Sequence, residues 1–250
     1  MPRATAGFSP FFFGGGKADG NKDSTINRKL QLVNVLLDEA IILGLVPRDS
    51  KPKIPVLKEA EGRLRVITRA EEISLLAKLK DLDSHAHNLV LFLMDTGARA
   101  GEALAVRWEQ INLDQRMVTL RNTKGRQPRS VPLTDRLVAL LRQLKADGLP
   151  LGPFHPLSDS GSTVRSAYHR VRAFWNTAKA EIGLRRDQEF TLHACRHTCA
   201  SRLVQNGVDI VTVQRWLGHS SLDMTMRYAH MSPDALGKAR DVLNRLECAG

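Results

Sequence analysis

The sequence predicts a mainly α-helical protein with one small antiparallel β-sheet, an α+β chain. Three observations carry that reading. Apolar residues recur at helical spacing through most of the chain. Two short runs, Met117–Arg121 and Arg129–Leu133, alternate like strands around a Lys124-Gly125 turn. Strands do not alternate with helices along the chain, which excludes a doubly wound nucleotide-binding sheet.

Residues 1–23 read as a tail, since Pro, Gly, Lys and Asp mix there without period and Gly14–Gly16 is a flexible stretch. A first helix begins at Ser24 or Thr25, carries Leu30, Val33, Leu36, Leu37, Ala40 and Ile41 at helical spacing, and closes at Gly44 and Pro47. Asp49–Gly62, with Pro52, Pro55, Lys51, Lys53 and Lys58, reads as an extended linker. Residues 24–62 are thus a helical segment with its linker, and 63–250 form the main compact domain. In that domain Thr68-Arg69-Ala70-Glu71 has the pattern of a capping box, opening a helix that faces inward through Ile73, Leu76 and Leu79. His87–Asp95 predicts a buried helix that stops at Thr96-Gly97, and another starts near Ala98 with Leu104, Ala105 and Trp108. Beyond the strands, helices are predicted over Thr134–Lys145 and over a long segment capped by Ser162, with Tyr168 and Trp175 on its apolar stripe. Others follow over Thr191–Gln205, Asp209–Leu217, Ser221–His230 and Ser232–Leu246. The last has Ser232 as its cap, Pro233 in its first turn, and Leu236, Ala239, Val242, Leu243 and Leu246 as an amphipathic stripe suited to packing on its own domain or on a neighbouring copy.

Of 250 residues, 42% are hydrophobic, enough to bury a core, so wholesale disorder is excluded. The longest apolar runs, Leu89–Met94 and Ala40–Val46, fall far short of the roughly 18 residues a membrane span requires. Phe11–Phe13 is too short for a signal-peptide core, and three cysteines make no disulfide scaffold. The expectation is a cytoplasmic protein. With 37 Lys and Arg against 26 Asp and Glu, the net charge is +11, which favours a polyanionic partner whose counterions such cations release.

Five segments could carry chemistry. In Thr96-Gly97-Ala98-Arg99-Ala100-Gly101-Glu102 a glycine turn delivers Arg99 to a helix start, where its planar fork could meet phosphate oxygens and Glu102 could orient it; a surface Arg–Glu pair is the plainer alternative. Lys124, on the hairpin turn, could protonate a leaving alkoxide or simply be solvated. His193 and Arg196 share a helix face and could grip one anion. His193 and His197 also fit a zinc pair, but position 194 is alanine where a zinc hydrolase needs glutamate. Cys195 and Cys199 suit small buried positions on that helix. Gly218 reads as a helix stop with His219 in the turn beyond it. Of the two tyrosines, Tyr168 falls on an apolar stripe, whereas Tyr228 follows a polar stretch. A phenol of pKa about 10 becomes a useful nucleophile when converging cations stabilise charge around it. Together these residues make a phosphoryl-transfer set of cations, an acid and a covalent nucleophile. The carboxylate cluster that would hold Mg²⁺ is missing, so metal-free phosphodiester cleavage with no cofactor is expected.

In these motifs the sequence resembles the tyrosine recombinases, and among them the phage-type integrases. The carrying residues are Thr-Gly-Ala-Arg-Ala-Gly-Glu at 96–102, Thr-Lys-Gly at 123–125, Ser-Val-Pro-Leu at 130–133, His193-x-x-Arg196-His197-Thr198, Leu217-Gly218-His219-Ser220 and Tyr228-Ala229-His230. The match runs over about residues 63–232 in family order. Ala194-Cys195 departs from the more usual apolar residues inside the His-x-x-Arg motif. The resemblance implies the DNA breaking-rejoining fold and site-specific recombination of double-stranded DNA through a 3′-phosphotyrosyl intermediate. It names Arg99, Lys124, His193, Arg196, His219 and Tyr228 as catalytic residues, implies a homotetramer on DNA with exchange of the last helix, and reads residues 24–47 as the end of a truncated core-binding domain. Rival readings are a type IB topoisomerase, a DNA-binding module without catalysis, and a zinc hydrolase through His193 and His197.

Overall fold

The computed structural model describes residues 20–58, 64–121, 128–149, 151–154, 163–232, 237, 240–241 and 243–245. The chain divides into two compact units, residues 1–63 and 64–250.

In the first unit, helix α1 (Asp23–Ile42) starts earlier than expected. The Lys22 carbonyl already accepts from the Thr25 and Ile26 amides, so Lys22 is the N-cap in place of Ser24 or Thr25, and Asp23 adds a carboxylate to the positive helix end. The expected stripe is only partly covered. Ile26 and Leu30 are buried, Val33, Leu37, Ala40 and Ile41 are half-buried, and Leu36 is exposed. The segment after α1 turns back through a 3₁₀ turn (Arg48–Ser50) and is tied to the helix twice. Asn27 exchanges two 2.8 Å hydrogen bonds with the backbone of Leu57, and Lys51 pairs with Asp38 at 2.5 Å. The linker is therefore a strap on its own helix over the described part.

The second unit opens with α2 (Arg69–Leu82), and the capping box forms: Thr68 Oγ1 accepts from the Glu71 amide, and Glu71 accepts from the Thr68 amide at 2.8 Å. Its inward face is the expected one at Leu79 and, half-buried against the core, at Leu76, but not at Ile73. Ile73 is exposed, while Leu75, Leu79 and Glu72 are fully buried. The Glu72 carboxylate is accepted in the interior because Arg69, Arg136 and Arg202 pair with it at 3.0, 3.1 and 2.7 Å. Helix α3 (Ser84–Thr96) begins three residues before His87, since the Asp83 carboxylate caps it by accepting from the Ala86 amide at 2.7 Å. It ends at Gly97, in the left-handed conformation (φ +63°) that glycine adopts without cost. Helix α4 (Ala100–Leu104) is short, and Trp108 belongs to a separate 3₁₀ turn (Trp108–Gln110).

The sheet is antiparallel, in order β1 (Ile111–Asn112), β2 (Met117–Leu120), β3 (Arg129–Pro132). Val118 sits opposite Val131, so both point into the core, as the alternation requires. The two-residue β1 has no counterpart in the sequence reading. Lys124 and its turn lie outside the described residues. Helix α5 (Asp135–Ala146) follows with Thr134 as its cap. Helix α6 (Val164–Glu181) is capped by Thr163, Ser162 lying outside the described residues. Its Trp175 stacks on Phe190 and donates to the Phe190 carbonyl at 3.0 Å; Tyr168 on the same helix is half-buried.

Helix α7 (Leu192–Gln205) is buried along most of its length and packs on α3. Helix α8 (Ile210–Leu217) begins at Asp209, whose carboxylate accepts from the Thr212 amide, and stops at the left-handed Gly218. A short α9 (Asp223–Met226) and a 3₁₀ turn (Ala229–Met231) bracket Tyr228. Of the expected last helix, residues 237, 240–241 and 243–245 are helical and Leu243 is exposed; Pro233, Leu236, Ala239, Val242 and Leu246 lie outside the described residues.

A Cβ at Gly97 would stand 2.8 Å from Leu217 Cδ2 and 3.1 Å from Cys199 Sγ. Gly97→Ala is expected to destabilise by about 2 kcal/mol through strain at positive φ and this clash. Gly148→Ala, with a similar φ but open space around it, should cost clearly less. Chemical denaturation of both variants checks the difference.

Candidate active site

The site is built where two chain reversals meet one face of a helix. The first follows α3. Thr96 is buried and donates from Oγ1 to the Phe92 carbonyl at 2.7 Å. Gly97 then turns the chain so that Arg99 becomes the first residue before α4. The Glu102 carboxylate accepts from the Arg99 backbone at 3.1 Å and from Arg99 Nη1 at 2.8 Å. Glu102 is 5% exposed and also accepts from Arg129 Nη2 at 2.7 Å. This is no surface pair: burial works against the carboxylate, but the hydrogen bonds from Arg129 and Arg99 hold it ionised, below the usual carboxylate range. Arg129 in turn donates from Nε to the Trp216 carbonyl at 2.9 Å, and Trp216 donates from Nε1 to the Thr96 carbonyl at 3.0 Å. Strand β3, α4 and the ends of α3 and α8 are thereby locked together.

The second contribution is one face of α7. Arg196 is 2% exposed, and its two terminal nitrogens donate to the carbonyls of Gly97 and Leu217, both at 2.7 Å. Burial, with Arg99 and Arg129 nearby, pushes its pKa down to about 9. His193 stands one turn back, at the open rim, with its inner side against the protein. That partial burial first, and then Arg196, Arg99 and Arg227, press it below the usual histidine range. The His197 ring lies edge-on to that of His193, with centroids 4.7 Å apart. Burial, then His193, Arg227 and Arg196, push His197 down to about 4, so it is neutral at pH 7.

The third contribution is the reversal that follows α8. After Gly218, His219 turns inward, and its Nδ1 lies 2.8 Å from Thr225 Oγ1. Helix α9 then delivers Tyr228, whose ring is 1% exposed and whose hydroxyl lies 2.6 Å from His197 Nδ1. Burial raises the phenol above its usual pKa, while Arg227 and Arg196 oppose that rise.

Five of the six residues singled out in the sequence come together. Arg99, His193, Arg196, His219 and Tyr228, with His197, Met224 and Arg227, line one cavity of about 130 Å³. Lys124 lies outside the described residues. Three arginines and three histidines around so small a space make an anion cradle, with a phenol at its wall. A larger cavity of about 510 Å³ lies between α1 and its strap, but only Arg28 among its lining residues is titratable, so it lacks the converging groups of a reaction centre. No group of three or more His, Cys, Asp or Glu that could hold a metal occurs among the described residues.

Sequence reasoning missed His197, Arg227 and Arg129. The i+4 spacing of His197 from His193 suggests a zinc ligand and no other role. Arg227 adjoins Tyr228, which was the available signal. Arg129 gave none, because its partner Glu102 lies 27 residues earlier.

The pKa shifts fix how stability responds to acid. His197 binds a proton near 6.5 when unfolded but only near 4 when folded, so the stability it contributes is complete above pH 6.5 and is lost as pH falls toward 4. Glu71, Glu72 and Glu102 are lowered by their arginine partners, so their contribution is complete above the ordinary carboxylate range of about 4.3 and is lost below it. The thermal midpoint is therefore expected to fall as pH is lowered from 7. His197→Phe should flatten the decline between pH 6.5 and 4 while leaving the steeper acid limb, as scanning calorimetry would record.

Residues 65–234 match the phage integrase family, which is more than half of the chain. The integrase of Escherichia phage P2 is 30% identical over 227 residues, covering 89% of this chain and 60% of that protein. The chain spans about three-fifths or less of the length of this and other phage integrases it matches. Among solved structures, the catalytic domain of bacteriophage HP1 integrase is 28% identical, with a TM-score of 0.57 over 72% of this chain and 95% of that domain. The Tn1549 transposon integrase shares the fold at 20% identity, with a TM-score of 0.70 over 98% of this chain and 87% of that one. By the extent of the family match and the likeness to the P2 protein, the chain belongs to the phage integrase family of tyrosine recombinases.

Proposed function

We propose that this chain is a site-specific DNA recombinase that cleaves and rejoins strands through a 3′-phosphotyrosyl intermediate, without metal or ATP. The observation that supports it most is the placement of Tyr228 on the wall of the cavity lined by Arg99, His193, Arg196 and His219. In this reading a backbone phosphate of double-stranded DNA enters the cradle. Arg99 and Arg196 stabilise the charge that builds on the non-bridging oxygens, and His219 donates a hydrogen bond to one of them. Tyr228 Oη attacks phosphorus as the bond to the 5′-oxygen breaks. His193, its pKa lowered first by burial and then by the neighbouring arginines, helps take up the phenolic proton once that hydrogen leaves its resting partner, and Lys124 gives a proton to the departing 5′-oxygen. The phosphotyrosine keeps the energy of the broken bond, so attack by a partner strand's 5′-hydroxyl reverses the step and releases the phenol.

The net charge of +11 suits a duplex partner, and the Tn1549 integrase of like fold was solved in complex with circular intermediate DNA. Four copies exchanging strands between two duplexes in the cytoplasm, with the last helix docking on a neighbour, complete the proposal. Residues 24–62 are read as part of a core-binding domain.

On a nicked suicide duplex carrying a candidate attachment sequence, the unsubstituted chain is expected to form a covalent adduct that survives a denaturing gel. Tyr228→Phe keeps the buried ring and should bind the duplex normally while forming no adduct; an adduct with this variant overturns the nucleophile assignment. Lys124→Ala should slow cleavage on the order of a hundredfold with an oxygen leaving group, yet spare a 5′-sulfur substrate, whose departure needs no proton. Equal slowing on both substrates rejects the acid role. Relaxation of supercoiled DNA without site preference would favour the topoisomerase reading instead.

A further inference from the structure

The Tyr228 hydroxyl is enclosed, and a phenol there requires an acceptor. Most of the cavity wall cannot supply one. Arg99, Arg196 and Arg227 carry only donors, and the Met224 sulfur is a weak acceptor. His219 directs Nδ1 to Thr225 Oγ1 at 2.8 Å. His197 is different: its Nδ1 lies 2.6 Å from Tyr228 Oη, and the two rings lean together with centroids 6.0 Å apart at 46°. Its place on α7 is fixed from both sides, by the neighbouring Arg196, bound to two backbone carbonyls, and by the His193 ring, edge-on at 4.7 Å.

From this geometry we propose that His197 is a positioning residue for the reaction: its Nδ1 accepts the hydrogen of the Tyr228 hydroxyl and seats that oxygen at the wall of the anion cradle. The inference rests on the reading of Tyr228 as nucleophile but assigns a residue that reading does not use. The seat fixes the tautomer, because a ring that accepts at Nδ1 carries its own hydrogen on Nε2. A neutral ring suits the task. It holds the phenol without adding a fourth cation to a wall that already has three arginines, and it leaves lone pairs of Oη free to meet phosphorus.

The test compares His197→Leu, which removes the acceptor, with His197→Asn, whose side-chain oxygen can stand near the lost Nδ1. The full chain has two tyrosines, so ¹³Cζ-tyrosine labelling gives two resonances, assigned with Tyr228→Phe. Expected is a Tyr228 resonance displaced in His197→Leu and returned toward its original position in His197→Asn, with the Tyr168 resonance unmoved in both as the check on folding. On the nicked duplex with which the unsubstituted chain forms its adduct, His197→Leu should slow adduct formation on the order of a hundredfold at unchanged DNA affinity, and His197→Asn should recover most of the rate. A Tyr228 resonance indifferent to loss of the imidazole, or equal adduct rates in all three proteins, overturns the proposal. If the unsubstituted chain forms no adduct, the recombinase reading fails, and the resonance alone decides the seat.

Discussion

One buried guanidinium organises the second unit. Arg196 leaves α7 and donates to Gly97 and Leu217, the carbonyls at the C-terminal ends of α3 and α8. Helix C-termini leave carbonyls without intrahelical partners and carry the negative end of the helix dipole. A cation placed across two of them is therefore stabilised twice, and each bond from a charged donor contributes about 1.5–3 kcal/mol. That gain offsets only part of the several kcal/mol that burying the charge costs, and the pKa of the guanidinium still falls to about 9. The glycines at 97 and 218 follow from the same arrangement. Both helices must end abruptly, in the left-handed turn, for their last carbonyls to converge on one side chain.

The rest of the site is assembled around that crossing. Glu102 faces the same junction and holds Arg99 on one oxygen and Arg129 on the other. Farther back, Glu72 plays a corresponding part in the scaffold, joining α2 to Arg136 of α5 and Arg202 of α7. Both carboxylates are buried and neither is alone, the condition under which interior charge is tolerated. The cradle itself is left with an excess of positive charge. Burial first, and then the neighbouring cations, lowers the pKa of both histidines of α7, and burial followed by Arg99 and Arg129 pushes the Arg196 guanidinium down to about 9. Such a cavity is electrostatically incomplete until an anion enters it.

Much of this was legible in the residues. The capping box at Thr68–Glu71, the glycine stops at 97 and 218, and the two alternating strands, which pair with Val118 and Val131 inward, are local matters of cap chemistry and period, and the structure has them. The five described site residues announced themselves as an ordered set and share one cavity. What was not legible depends on partners distant in sequence. The apolar spacing of α2 places Ile73 inward with Leu76 and Leu79, but beside Leu79 the buried face takes Glu72 and Leu75 and leaves Ile73 exposed, because Arg136 and Arg202, 64 and 130 positions on, neutralise the glutamate. Arg129 sits in a strand whose alternation says nothing of Glu102. Strand β1 is two residues long, too short to show any period. In α1, helical spacing was real but overstated burial, since spacing reports only which residues share a face and not what covers that face.

The back of α7 has a chemical consequence of its own. Cys195 and Cys199 flank Arg196 and are sealed in the core, where burial raises both thiols, Cys199 to about 12. Oxidants and alkylating agents attack the thiolate, which is almost absent from both residues at neutral pH. The helix that carries the guanidinium and both imidazoles thus offers no redox handle while it is folded. Peroxide would reach these sulfurs only after α7 had opened, when the anion cradle had already come apart.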